Sequence, residues 1–418
     1  MRYSIISKGL TLDQIEVEVK KVGGRDINRT KLLEQIFCEL DEEQAKALSR
    51  IAGLAVKPLK DFSAHQATTV LPPVQTVADA FYLVRSYFAP PLTGVGLTVA
   101  ILDSGIRKSH QSLQNKIVYE ANFTSSPSAE DVFGHGTQVG FVVAGGMHAL
   151  GEKAGVAPGA RLFNIKVIGD DGIGNDESVI QGIDKVCQLA QEARTRGLYP
   201  TDDMYPNVIN ISFGGEDDGD PDNPVRAACR KASQDFGLDV VAAAGNFGPK
   251  MTTITQPACE PEVIAVGAVE TLGELVIWEQ SSRGPTKQGE TKPDFVMWGT
   301  SIEMASNKAD DQYVTKSGTS FAAPMLSGLT GLLWESGRRA YGEGWPFRWV
   351  QARQVAPYFC TKPQDAAINK DNNYGFGLPA MGTMLGQMAP VTTPTQQMME
   401  PFPVLMMMSM MASMMGGV

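Results

Sequence analysis

Four residues of this 418-residue chain have side chains that together could hydrolyse a peptide bond. Asp103 directly follows an apolar run at residues 97–102, and His135 lies between two glycines. Ser320 begins a helix-like stretch, and Asn246 follows a second apolar run. Peptide hydrolysis needs an activated nucleophile, a base that later acts as an acid, and hydrogen-bond donors for the oxyanion. These residue types can supply all of those parts.

Each of these residues also has a structural interpretation when it is taken alone. An aspartate after a strand commonly serves in a turn or a helix cap, and a serine such as Ser320 is a common N-cap. Asn246 lies shortly before Gly248 and Pro249, where asparagine is a common turn residue. The glycines beside His135 favour a functional role, because they let the backbone pass close to another group.

The elements predicted around these residues indicate one large parallel sheet. Five runs are apolar on both faces, which is typical of buried parallel strands. They lie at residues 97–102, 162–167, 208–211, 240–244 and 263–266. Residues 179–190 carry the apolar face of a helix between two of these runs. The sequence therefore predicts an α/β domain with a mostly parallel sheet flanked by helices, and side chains at strand ends converge above such a sheet.

Three short segments resemble the motifs of the subtilase family of serine proteases. They are residues 103–105, 135–137 and 318–324, and they occur in the Asp, His, Ser order of subtilisin. A fourth segment, residues 243–246, resembles the oxyanion segment of the same family. The resemblance covers residues 77–386 and implies a subtilisin-like fold with serine endopeptidase activity.

The resemblance also implies a role for each candidate residue. Ser320 is the implied nucleophile, His135 the general base, and Asp103 the carboxylate that orients His135. Asn246 and the backbone N–H of Ser320 are the implied donors of the oxyanion hole. No cofactor is required for this chemistry.

Substrate is expected to bind as an extended strand between two backbone edges, as the resemblance implies. The implied substrate-binding residues are Gly172, Ile173, Gly174, Ser212, Phe213, Gly214, Ala244 and Gly245. Glycines suit such edges, because a side chain would obstruct the close approach of two backbones. Phe213 stands where the family commonly has leucine, and we expect it to line an apolar pocket.

An acidic segment follows the second edge and leaves the substrate preference open. Asp217, Asp218 and Asp220 resemble the acidic segment of the proprotein convertases, which cut after arginine or lysine. Carboxylates beside a pocket would select a cationic residue through charge-assisted hydrogen bonds. A solvated loop or a cation site is the alternative, and residues 247–253 resemble the neutral subtilisin version.

A structural calcium ion is a further expectation from the family, but the usual site is poorly matched. Ser112 stands where many subtilisins have a calcium-binding aspartate. Residues 149–156 offer Glu152 as their only carboxylate. Because calcium needs several oxygen ligands, the sequence argues against the usual site and assigns no metal ligand.

The rest of the chain divides into three segments. Residues 1–62 show the strand and helix order of a small ferredoxin-like α+β domain, and they resemble the inhibitory propeptide of subtilases. An accessory domain that stays attached is the alternative. Residues 63–76 are predicted to be a linker with a processing site. Residues 387–418 are a Pro/Thr- and Met-rich tail. One interpretation is that the tail contacts a partner or a membrane surface. The alternative is a tail that is mobile or packs on its own domain.

Composition restricts the class of partner. The formal net charge of −10 argues against nucleic acid, and no apolar run is long enough to span a bilayer. The first residues lack the apolar region of a secretory signal, so we expect an intracellular protein. Polypeptide substrates and the chain's own N-terminal domain are the expected partners. A catalytically silent binding or assembly protein with this fold is the alternative hypothesis.

Overall fold

The computed structural model describes residues 1–379 except residues 8, 31–33, 64–89, 147–152, 271–274, 343–346, 365 and 368. Within this range the chain forms an N-terminal α+β unit and an α/β domain built on one large sheet. The predicted linker at residues 63–76, apart from Ser63, and the predicted tail at residues 387–418 lie outside the described residues.

The N-terminal unit is a four-stranded antiparallel sheet with two helices. Its strands are β1 (Arg2–Ser7), β2 (Arg25–Thr30), β3 (Gln35–Glu39) and β4 (Leu54–Pro58), and its helices are α1 (Leu12–Lys21) and α2 (Glu42–Ser49). The strands pair in the order β2-β3-β1-β4, and the elements follow along the chain as strand, helix, two strands, helix and strand. Both helices begin with a capping box, formed by Thr11 with Gln14 and by Asp41 with Gln44, which satisfies backbone N–H groups of the first turn.

The remaining elements follow in chain order. The strands are β5 (Asp61–Ser63), β6 (Thr98–Asp103), β7 (Ile117–Asn122), β8 (Arg161–Lys166), β9 (Ile173–Asn175), β10 (Val208–Ile211), β11 (Asp239–Ala243), β12 (Ile264–Val269), β13 (Phe295–Trp298), β14 (Ile302–Ala305), β15 (Tyr313–Lys316), β16 (Cys360–Thr361) and β17 (Leu378–Pro379). The helices are α3 (His135–Ala144), α4 (Asp176–Thr195), α5 (Pro224–Gln234), α6 (Thr319–Tyr341) and α7 (Trp349–Ala352).

The large sheet has seven strands in the order β13-β12-β11-β10-β6-β8-β7, and every described pair is parallel. All six residues of β6 are buried. Val99 and Ile101 belong to the apolar cluster on one face of the sheet, whereas Ala100 and Leu102 belong to the cluster on the other face. The α/β fold with helices on both faces, predicted from the apolar runs, is confirmed.

Helix α6 is buried over most of its length. It is buried from Thr319 to Arg338, because its sequence is apolar or small on nearly every side. It packs against the same face of the sheet as α3. Among the described residues, no helix is long and apolar enough to cross a membrane.

Candidate active site

Asp103 and His135 meet at the carboxyl end of strand β6. Asp103 is the last residue of β6, and His135 is the first residue of α3. The Nδ1 atom of His135 lies 2.8 Å from Oδ1 and 3.0 Å from Oδ2 of Asp103. Only 3% of the His135 side chain and 1% of the Asp103 side chain are exposed. A Cβ atom at Gly136 would collide with the carbonyl oxygen of Gly105, so glycine is needed for this close approach.

The pairing with Asp103 determines which nitrogen of His135 can act as a base. A carboxylate only accepts hydrogen bonds, so Nδ1 carries the proton and Nε2 carries the lone pair. The Nε2 atom is buried and has no hydrogen-bond partner among the described residues. A buried, unpartnered lone pair is well placed to take a proton from a neighbouring nucleophile. The His135 ring also lies 5.8 Å, centroid to centroid, from the ring of Phe321, which directly follows Ser320.

Ser320 lies in the first turn of α6 and is 2% exposed. The first four N–H groups of a helix lack intrahelical partners, so the N–H of Ser320 can donate to a bound group. The positive end of the helix dipole favours negative charge at the same place. The nearby Gly318 is extended, with φ 164°, and leads the chain into this first turn.

Asn246 is held beside the start of α6 by Thr319. Its Oδ1 atom accepts hydrogen bonds from the N–H of Thr319 at 3.0 Å and from the Thr319 hydroxyl at 2.8 Å. The Thr319 hydroxyl in turn accepts from the N–H of Gly245 at 3.2 Å. These bonds fix the orientation of the amide, and its Nδ2 group is the one that can donate to a ligand. A Cβ atom at Gly318 would lie 3.5 Å from Nδ2, so glycine leaves that side open.

The first predicted substrate edge is already paired with the chain's own N-terminal segment. Strand β5 adds antiparallel to β9, with Asp61 opposite Asn175, Phe62 opposite Gly174 and Ser63 opposite Ile173. This is how an extended peptide adds to an exposed strand edge.

The second predicted edge begins directly after β10. Ser212 and Phe213 are 0% and 1% exposed, and the Phe213 side chain lies in the apolar cluster that contains Leu102. A Cβ atom at Gly214 would lie 2.6 Å from the Thr255 hydroxyl. The expectation that Phe213 lines an apolar substrate pocket stays a prediction. Ala244 is buried, and Gly245 has φ 109°, a conformation that favours glycine.

Comparison with known proteins decides the family. The family model described as the subtilase family matches residues 94–377, about two thirds of the chain. The chain belongs to the subtilase family. This confirms the family identified from the sequence motifs.

This subtilase resembles several bacterial proteases. It is 31% identical to serine protease AprX of Bacillus subtilis (strain 168) over 264 residues, which are 58% of each protein. It is 32% identical to the major intracellular serine protease of the same strain over 255 residues, covering 59% of this chain and 70% of the relative. The match thus spans less than two thirds of the length of AprX. Among solved structures, Sphericase superposes with a TM-score of 0.58 and 28% identity, over 69% of this chain and 92% of Sphericase.

Asp131 is a residue of this subtilase that the sequence analysis missed. Its Oδ1 atom accepts from the Ser104 hydroxyl at 2.9 Å and the N–H of Gly134 at 2.7 Å. Its Oδ2 atom accepts from the N–H of Thr137 at 2.8 Å and the Thr137 hydroxyl at 2.5 Å. Asp131 therefore ties the loop after Asp103 to the turn before His135. An acidic residue four positions before the histidine was the available signal.

Burial raises the pKa of Asp131, while its four hydrogen bonds act in the opposite direction. Asp131→Ala is expected to lower the free energy of unfolding by roughly 2–4 kcal/mol, because it leaves several buried donors without an acceptor. Urea unfolding measures this loss. The neighbouring Glu130→Gln is the control and is expected to change it by less than about 0.5 kcal/mol. Equal losses in the two variants would show that Asp131 has no special positioning role.

The acidic residues of this subtilase face different partners. Asp218 and Asp220 accept hydrogen bonds from Lys60 at 2.8 Å and Lys57 at 2.6 Å, both in the N-terminal unit. Asp217 is 3% exposed and accepts from the backbone N–H of Lys287 at 3.2 Å. Among the described residues, no group of three or more His, Cys, Asp or Glu side chains could hold a metal ion.

The residues compared with the family's usual calcium site are only partly described. The Ser112 hydroxyl lies 2.7 Å from the Tyr313 hydroxyl, so it is engaged in a protein hydrogen bond. Glu152 and the neighbouring residues 147–151 lie outside the described residues. The argument against the usual calcium site therefore stays a prediction from the sequence.

The oxyanion role that the sequence predicts for Asn246 implies a selective loss of turnover when this residue is replaced. Asn246→Ala is expected to lower kcat on a peptide substrate by about 10²–10³, because one donor to the oxyanion is lost. KM is expected to change by less than about threefold, since the donor acts mainly in the transition state. Steady-state kinetics on one peptide measures both constants. A loss that falls entirely on KM would contradict the assignment.

Proposed function

We propose that this subtilase is a serine endopeptidase that acts through Ser320, His135 and Asp103. The hydrogen bond between His135 and Asp103, next to the first turn of α6, is the observation that carries the proposal. The histidine has an unpartnered Nε2 atom for proton transfer, and the helix end favours a developing negative charge.

The proposed reaction has two steps. Ser320 Oγ attacks the scissile carbonyl carbon while His135 Nε2 takes the hydroxyl proton, and Asp103 stabilises the imidazolium that forms. His135 then gives that proton to the leaving amine as the peptide C–N bond breaks, which leaves an acyl-enzyme. Water attacks the acyl group, with His135 acting again as base and then as acid, and Ser320 is regenerated.

Two donors are proposed to stabilise the oxyanion of each tetrahedral intermediate. They are the Nδ2 amide of Asn246 and the backbone N–H of Ser320. Thr319 supports this role, because its hydrogen bonds to Oδ1 of Asn246 fix the orientation of the Nδ2 group that donates. Donors that are fixed before the reaction need no reorganisation as charge develops.

We also propose that residues 1–62, with Ser63, inhibit the enzyme in cis until they are cut off. Strand β5 occupies the β9 edge on which a substrate strand would lie. The Arg2 guanidinium and the Asn28 amide both donate to Glu177 at the start of α4, Asn28 at 2.7 Å. Phe37 of the N-terminal unit is fully buried in the apolar cluster that contains α4 residues. These contacts hold the unit against β9 and the start of α4.

Glu177→Gln is expected to loosen this docking. In a Ser320→Ala background, which prevents self-cleavage, amide hydrogen exchange of residues 173–175 is expected to accelerate about five- to tenfold. The reason is that the charge-assisted bonds from Arg2 become weaker when the acceptor is neutral. Glu192→Gln, at an exposed position of the same helix, is the control. Unchanged exchange in Glu177→Gln would argue against an electrostatic contribution to docking.

Self-processing is tested by determining N-termini with mass spectrometry. The native chain is expected to gain a new N-terminus between about residues 55 and 80, where the linker was predicted. The Ser320→Ala chain is expected to stay uncut under the same conditions. An uncut native chain, or equal cutting of both chains, would contradict self-processing.

We propose an intracellular location for the enzyme. All five cysteines are free, and Cys38, Cys187, Cys229 and Cys259 are buried. Free thiols are typical of reducing compartments. Protein isolated from its source should therefore react with a maleimide in denaturant, without prior reduction, at every cysteine it retains: five in the uncut chain and four after residues 1–62, with Cys38, are removed. Fewer labelled thiols than cysteines in the isolated chain would indicate a disulfide and an oxidising compartment.

A further inference from the structure

The last described residues of the N-terminal unit follow the path expected for a substrate. Phe62 in β5 lies opposite Gly174 in β9. The pairing continues toward the N-terminus at Lys60, whose carbonyl oxygen accepts from the N–H of Asp176 at 2.9 Å. The N–H of Lys60 donates to Oδ2 of Asp176 at 2.8 Å. Lys60 therefore lies in the same extended segment, two residues before the one that pairs with Gly174.

The side chain of Lys60 ends at a carboxylate that is fixed by other groups. Its Nζ atom lies 2.8 Å from Oδ2 of Asp218. Asn223 donates to the same oxygen at 3.0 Å, and the N–H of Asp220 donates to Oδ1 at 2.9 Å. Asn223 also caps α5, so it is itself held in place. Since these partners belong to the α/β domain, the carboxylate stays positioned when Lys60 leaves.

Asp218 is also charged at neutral pH. Partial burial on its own would raise the pKa of Asp218, but hydrogen bonds from Lys60, Asp220 and Asn223 hold the pKa below its usual value. The Asp218 side chain is 19% exposed, compared with 40% for Asp220, which pairs with Lys57. Lys60 is itself 44% exposed and Lys57 29%, so the two ion pairs are exposed to a similar extent. Asp218 is the better-defined partner for a cation because its carboxylate is the less exposed of the two and is also held by Asn223.

We propose that Asp218 is a specificity-determining residue that selects lysine or arginine upstream of the cleaved bond. The selected position is two residues before the substrate residue that pairs with Gly174. A substrate strand that adds to β9 follows the path of β5, so a side chain at the position of Lys60 ends beside Asp218. A cationic side chain forms a charge-assisted hydrogen bond there. This inference rests on the proposed endopeptidase function.

Asp218 contacts a different residue of the substrate from the one that the resemblance to convertases implies. That resemblance placed the acidic residues beside the side chain at the cleaved bond. In the structure, Asp218 and Asp220 instead face Lys60 and Lys57, which precede the strand β5. Asp217 is buried and accepts hydrogen bonds from the backbone N–H groups of Gly219 and Lys287.

The test starts from the full-length chain and uses the enzyme that remains after self-processing has ended. Its substrates are fluorogenic peptides that copy residues 57–70, with glutamine in place of Lys57 in every peptide. The peptides differ only at the position of Lys60, which is lysine, arginine, glutamine or glutamate. Mass spectrometry verifies that the same bond is cut in each. The kcat/KM of the lysine and arginine peptides is expected to exceed that of the glutamine peptide roughly fivefold.

Variants in the acidic segment distinguish a direct contact with Asp218 from an effect of the overall negative charge of this surface. Asp218→Asn is expected to reduce the lysine-to-glutamine ratio to below about twofold, and Asp218→Lys to favour the glutamate peptide. Asp222→Asn removes the same charge from the same loop and is the matched control. Its side chain makes no contact with Lys60 in the structure, so the ratio should stay near its native value.

Other results would contradict either the role of Asp218 alone or the proposed endopeptidase function as well. A flat preference in the native protein, a ratio that survives Asp218→Asn, or an equal loss in Asp222→Asn would overturn the role of Asp218. In those cases cleavage still occurs and the proposed endopeptidase function stands. If the protein neither cuts a peptide nor reacts with a serine-directed phosphonate, the proposed function fails, and the role of Asp218 fails with it.

Discussion

Ser320→Ala is expected to lower kcat for peptide cleavage by on the order of 10⁶, the loss typical of removing a subtilisin nucleophile. The substitution removes the hydroxyl from which His135 takes a proton, so no acyl-enzyme can form. Oxyanion donors and substrate binding remain, and they leave a small residual rate above that of water. The measurement is kcat and KM on one fluorogenic peptide, with KM expected to change little.

A second serine on α6 provides the matched control. Ser327 lies about two turns further along the helix and is fully buried, and its hydroxyl hydrogen-bonds Asn210 at 2.9 Å. Ser327→Ala is expected to cost roughly 1 kcal/mol of unfolding free energy and to leave kcat within about twofold. If Ser320→Ala keeps more than about 1% of native kcat, Ser320 is not the nucleophile.

Asp103→Asn is expected to lower kcat by about 10⁴. The amide of asparagine can donate a hydrogen bond to Nδ1, which favours the tautomer that carries its proton on Nε2. That tautomer cannot accept the proton of Ser320, and the imidazolium loses its buried counter-charge. Aspartate and asparagine are nearly isosteric, so the fold is expected to persist. Kinetics on the same peptide measures the loss of kcat, and urea unfolding shows whether the variant has also lost stability.

The rate of labelling by a serine-directed phosphonate gives an independent reading of this variant. Labelling needs the same deprotonation of Ser320 but no release of product. It should therefore slow in Asp103→Asn by a factor close to the loss in kcat. A variant that stays within about tenfold of native on both measures would show that the 2.8 Å contact between His135 and Asp103 has no catalytic role.

The parts of the fold with strong apolar patterns could be predicted from sequence. Strand β6 and helix α6 are buried on all sides, so their apolar runs identify them. Strand β2 could not be located from the sequence. It is an edge strand whose sequence, RDINRT, is mostly polar, and edge strands commonly carry charges. The sequence of β2 alone therefore does not predict its pairing with β3.

The contacts that define the candidate site could be predicted only in part. Motif order brought Asp103, His135 and Ser320 together in the sequence analysis, and the structure places Asp103 and His135 in hydrogen-bond contact. The acidic partners of Lys60 could not be predicted. Its ion pair with Asp218 joins residues 158 positions apart, and nothing in local spacing identifies such a pair. The sequence shows both charges, but only the fold shows that they meet.

The most direct test of the proposed function is to map where a fluorophosphonate reagent attaches. The native protein is treated with the reagent, digested and analysed by tandem mass spectrometry. One adduct is expected, on Ser320, and it should be lost in His135→Ala because the hydroxyl is no longer activated. Absence of an adduct, attachment at another residue, or equal labelling of the His135→Ala protein would contradict a serine endopeptidase that acts through Ser320.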